Sequence, residues 1–150
     1  ISGGIRHVTI RSCLMDNENW SPLRFKSQPS RGGTVENITF EDITIKGARS
    51  IFDINMEWRM VPPLLPAHYP LTCLRNIHFK NINGEAQSAG TMYGFKEAPF
   101  GNDTFFFENC HIKAQKGLSI SNVANVNFKG LELEIKEGEK IYERSANKDK

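Results

Sequence analysis

At 150 residues, with 39% hydrophobic side chains and a formal net charge of +2, the chain has the size and balance of one globular domain. No apolar run is long enough to cross a bilayer, and the basic residues gather into no long patch outside the terminal tail, which argues against a membrane span and against a nucleic-acid partner. Three cysteines, Cys13, Cys73 and Cys110, make an odd number without Cys-x-x-Cys spacing, so neither a disulfide framework nor a metal site is expected.

Residue 1 is Ile and no basic or apolar leader precedes it, so the expectation is a chain that starts mid-protein. The first predicted element is HVTIRSCLM (7–15), whose second, fourth and seventh places hold Val8, Ile10 and Cys13. That spacing returns in NITFEDITI (37–45), NIHFKNING (76–84), TFFFENCHI (104–112) and NVNFKGLEL (125–133). Strict alternation would turn the seventh place outward, so an apolar residue there requires a corner just before it. The corner residues are Ser12, Asp42, Asn81, Asn109 and Gly130, all small or turn-forming, and stacked copies would place them in a ladder.

A second short strand is predicted after each of the first four copies: LRFKS (23–27), IFDINM (51–56), TMYGFK (91–96) and GLSIS (117–121). In the first of these, alternation points Leu23 and Phe25 inward and Arg24 and Lys26 outward, with the two charges roughly 7 Å apart on one face. Such a pair suits an anion. A solvated strand edge carrying two gatekeeper charges is the other reading. The fourth-place residues Ile10, Phe40, Phe79, Phe107 and Phe128 recur at intervals of 30, 39, 28 and 21 residues. The shortest interval is about one turn of a solenoid and the longer ones add outward loops, so the fold expected is an all-β, single-stranded parallel β-helix. An antiparallel sandwich is the rival, but it predicts hairpin turns instead of a recurrent corner.

The longest loop, Glu57 to Leu71, holds four of the seven prolines and cannot add a strand. Its Trp58, Arg59, His68 and Tyr69 either line a groove or hold the loop against the coil beneath. Asn55 and Glu57 lie one rung from Lys26, suited either to a sugar hydroxyl or to anchoring the loop. Gly3 and Gly4 suit a turn or a close approach to a ligand. His78 falls at an outward, solvated place, and Cys13 and Cys110 at inward ones. The coils are expected over 1–136, and the polar segment 137–150 is expected to fray or to be only loosely docked.

The segments SGGIRHVTIRSC, LRFKSQPSRGGTVENITFEDITI, INM and GFKEAPFGNDTFFFENCHIKAQKGLSISN resemble the C-terminal part of glycoside hydrolase family 28, the polygalacturonases and their pectin-degrading relatives. The resemblance covers Ser2 to about Leu133, and its most specific part is Arg24-Phe25-Lys26, similar to the family's Arg-Ile-Lys motif with Phe for the inward Ile. It implies a right-handed β-helix and a secreted or periplasmic address. It also implies an acidic polysaccharide partner (pectin or galacturonan) bound by Arg24 and Lys26 near the cleaved bond, and no cofactor. The family hydrolyses with inversion, one carboxylic acid protonating the departing oxygen while carboxylates opposite activate water. Its Asn-Thr-Asp, Asp-Asp and Gly-His-Gly motifs are absent from this chain. The expectation is therefore that no catalytic residue lies here, that missing N-terminal coils of the same protein supply them, and that the chain alone is inactive. A non-catalytic carbohydrate-binding solenoid and a polysaccharide lyase, with calcium-binding carboxylates and an Arg base, are the alternatives.

Overall fold

Alternating apolar residues build strands that turn corners without leaving the sheet. The computed structural model describes residues 3–16, 20–59 and 65–145. Within these run β1 (Ile5–Asp16), β2 (Leu23–Lys26), β3 (Thr34–Asn55), β4 (Cys73–Tyr93), β5 (Phe105–Glu108), β6 (Cys110–Ser121) and β7 (Leu131–Glu143). The path is β1-β3-β4-β6-β7, with β2 on the second half of β3 and β5 on the first half of β4. Every pairing between these strands is parallel. Each coil thus lies on the one before it, as a single-stranded parallel β-helix.

The markers stack as their spacing demands. Ile10 pairs with Phe40, Phe40 with Phe79 and Phe79 with Phe107. The Phe40–Phe79, Phe79–Phe107 and Phe107–Phe128 ring centroids lie 5.4, 5.3 and 5.7 Å apart. Inward neighbours Ile38, Ile43, Ile45, Ile77 and Ile82 are buried around this column. β-Branched side chains suit such ladders because they pack against the same face of the next strand.

The corners carry the left-handed backbone that the apolar skip requires. Ser12, Asp42, Asn81 and Asn109 have φ of 57°, 54°, 52° and 51°. Asn and Asp tolerate this region better than most residues. Their side chains also bond along the stack: Asn81 Nδ2 donates to Asp42 Oδ1 at 2.9 Å and Asn109 Nδ2 to Asn81 Oδ1 at 2.8 Å. Gly130, the fifth corner residue, is not among the left-handed positions. A second set of corners at the first place of the repeat, His7, Asn37 and Asn76, has φ of 55–57° and was not expected. Because these corners bend the chain without interrupting its ladder, β3, β4 and β6 each run on through segments predicted as separate short strands.

Two further expectations change. β7 continues to Glu143, with Ile141, Tyr142 and Glu143 paired to Leu118, Ser119 and Ile120, so residues 137–143 are sheet, not a frayed tail. Residues 137–140, Glu-Gly-Glu-Lys, are all exposed and only Ile141 is half-buried, which reads as a polar tail. Residues 146–150 lie outside the described residues, as do 60–64 of the proline-rich loop. His78 is half-buried, stacked on Phe106 with centroids 4.8 Å apart, where solvation was expected. Burial, aided by the Lys80 ammonium and opposed by Glu108, holds its pKa below the usual imidazole value.

At the other end, among the described residues, β1 is paired along one edge only. Ile5 is 55% exposed and Val8 37%, and inward Cys13 is only half-buried while Cys110 is fully buried. Burial pushes the Cys110 thiol pKa up, and its Sγ lies 3.2 Å from the Phe79 carbonyl oxygen.

Candidate functional site

β2 is short, and its alternation sets the site. Leu23 is fully buried, and the Phe25 ring meets Phe40 edge-on at 5.9 Å. Arg24 and Lys26 stand on the opposite face and line the same cavity of about 470 Å³. The cavity also reaches the inward side of the coil, where Phe25, Ile5, Val35, Met56 and Leu74 line it, and its remaining lining includes Gly3, Gln28, Arg31, Trp58 and Thr72. The charged residues of that lining, Arg24, Lys26 and Arg31, are all basic.

Register explains how the two cations are held. Arg24 pairs with Asp53 and Lys26 with Asn55 on β3. Arg24 Nε lies 2.8 Å from Asp53 Oδ2, but it has no hydrogen-bond acceptor, so the contact is a charge pair without an aligned bond. Lys26 Nζ lies 4.2 Å from the centre of the Trp58 ring, and the Arg24 guanidinium carbon 5.9 Å from the Trp20 ring. One tryptophan therefore backs each cation. Such contacts hold a charge in place while leaving its donors for a ligand.

The turn after β2 is fixed by a small polar cluster. Ser27 Oγ and Thr72 Oγ1 are 2.7 Å apart, and the Thr72 hydroxyl donates to the Gly32 carbonyl at 2.9 Å. Gly32 has φ of 67°, and a side chain there would meet the His68 ring at 2.5 Å. This is why Arg31 is followed by glycine where the turn enters β3.

The expected groove residues divide. Trp58 lines the cavity. Asn55 does not: its Oδ1 accepts the Glu57 N–H at 2.9 Å and caps the turn out of β3. That turn carries Glu57 into a separate, smaller cavity beside Tyr69 and Lys96 and leaves Arg59 exposed outside the basic one. His68 and Tyr69 anchor the loop. The His68 N–H donates to the Pro29 carbonyl at 2.8 Å, and the Tyr69 hydroxyl donates to Glu97 Oε2 at 2.9 Å. The Glu97 carboxylate in turn raises the Tyr69 pKa above its ordinary value. Gly3 reaches the cavity, whereas Gly4 lies against the Thr34 carbonyl.

Asp53, Arg31 and Trp20 were not singled out from sequence. Alternation in IFDINM does signal Asp53, since it falls outward in step with Arg24. Trp20 gives no periodic signal, because it precedes β2 outside any repeat.

Comparison with known proteins gives one result. Neither the curated proteins nor the solved structures searched contain a match. The family model described as glycosyl hydrolases family 28 matches residues 3–135, which takes in β1 through the first part of β7 and the whole basic cavity. With that match over most of its length and the parallel coils the match requires, the chain belongs to glycosyl hydrolase family 28.

Proposed function

We propose that this chain forms the substrate-binding C-terminal coils of a pectin-degrading, polygalacturonase-like hydrolase, in which Arg24 and Lys26 grip a galacturonate beside the cleaved bond. The observation that carries the reading is the cavity whose charged lining residues are all cationic. Galacturonan presents one carboxylate per sugar; the Arg24 guanidinium offers a planar fork of donors and the Lys26 ammonium a compact charge. Trp58 adds an apolar face beside Lys26 for the sugar ring.

Inverting hydrolysis needs a general acid and a general base on opposite sides of the bond, about 6.5–9.5 Å apart to admit water. Among the described residues, Arg24 forms an ion pair with Asp53, at 2.8 Å. In this reading Asp53 fixes Arg24, and the acid and base come from coils stacked on β1, whose open edge and exposed Ile5 and Val8 would accept them. Carboxyl groups and water suffice for that chemistry, so the reading invokes no metal or cofactor. Because the polymer lies outside cells, a secreted or periplasmic location follows from the same reading.

The purified chain is expected to release no reducing ends from polygalacturonate above a heat-treated control. Sustained release would place the acid and base within these 150 residues and overturn the division of labour.

A further inference from the structure

Resting on that reading, we infer that Arg49 and Trp20 form a second carboxylate subsite beside the Arg24–Lys26 cavity, so that the groove holds two acidic sugars at once. Arg49 is exposed on β3, and its guanidinium carbon lies 4.8 Å from the Trp20 ring centre, on the same indole that Arg24 touches at 5.9 Å. Two guanidinium groups thus gather on one ring. Like charges held together in this way favour a ligand that brings more than one negative charge.

The arrangement is built into the fold. The Arg49 N–H donates to the Trp20 carbonyl at 3.0 Å and the Ser50 N–H at 3.4 Å, while the Ser21 and Ser50 hydroxyls bond each other. Trp20 and Ser21 are therefore tied to β3 at the point where Arg49 emerges, which fixes the backbone that carries the indole in advance of binding. Trp20 remains 48% exposed.

The two arginines differ in what they already hold. Arg24 faces Asp53, which offsets part of its charge. No carboxylate among the described residues forms an ion pair with Arg49, so its donors stay available to a ligand anion. Neither Trp20 nor Arg49 lines the cavity that contains Lys26. Trp20 meets Arg24 near the start of β2, and Trp58 meets Lys26 at its end. A single uronate would use Arg24 and Lys26; a neighbouring uronate would reach Arg49. The ligand class is a run of at least two unesterified uronates, and esterifying the second would remove the Arg49 contribution.

Titration calorimetry on the whole chain tests this with galacturonate monomer, trimer and methyl-esterified trimer, using the wild type, Arg49→Gln and Lys26→Met. The inference expects Arg49→Gln to weaken the acidic trimer roughly tenfold, the size of one lost charge-assisted hydrogen bond, with the monomer unaffected. The esterified trimer should show no difference between Arg49→Gln and wild type, and thermal unfolding of the variant should match the wild type. If Arg49→Gln binds the acidic trimer like the wild type while Lys26→Met does not, the second subsite is wrong and the principal site stands. If the wild type binds none of the three sugars, both fall together.

Discussion

Phe79→Ala should destabilise the fold by about 3–5 kcal/mol, the cost of removing a fully buried ring from a packed interior. Phe79 has no exposed surface and meets Phe40, Phe52, Phe105 and Phe107 at centroid distances of 5.4, 5.1, 6.2 and 5.3 Å. Its neighbours come from the coils on either side, β3 and β5, so the void cannot close by moving one side chain. Against a typical total of roughly 5–15 kcal/mol the loss is a large share, and the urea midpoint should fall with the slope unchanged. A loss below about 1 kcal/mol would mean that the rings do not share one column.

Gly90→Ala is expected to act on both fold and site. Gly90 has φ of 119°, and a Cβ there would lie 1.9 Å from the Phe52 carbonyl oxygen and 2.8 Å from the Phe52 nitrogen. The backbone angle alone costs on the order of 1–3 kcal/mol for a residue with a side chain, before the clash is relieved. Relief must come from parting β3 and β4 at the Phe52–Gly90 pair, which sits next to the Asp53–Thr91 pair. Since Asp53 holds Arg24, the variant should lose uronate affinity along with stability, read by thermal unfolding and by titration with oligogalacturonate. Wild-type stability in this variant would contradict the register of the two strands.

The repeat was legible because its chemistry is redundant. Apolar second, fourth and seventh places fix both the alternation and the skip, and Asp42, Asn81 and Asn109 combine corner backbone with side chains that bond to one another. The earlier corner was harder to see. Asn37 and Asn76 precede apolar residues as any strand-opening Asn would, and His7 in the first copy hides the pattern. Arg24 and Lys26 could be oriented from Leu23 and Phe25 alone, since alternation is local. What surrounds them could not, because Trp20, Arg31, Asp53 and Trp58 come from loops and from the next coil, and only register brings them together. Glu57 and Arg59 lie outside the basic cavity for a related reason: the Asn55 cap turns the chain away immediately after β3.

The most direct test of the account is a titration of the chain with trigalacturonate followed by tryptophan emission, since one indole lies 4.2 Å from Lys26 Nζ and the other backs Arg24. The account predicts saturable binding that weakens as salt rises and disappears in the double variant Arg24→Gln, Lys26→Met while the fold persists. Equal binding by that variant, or by a neutral trisaccharide to the wild type, would contradict it.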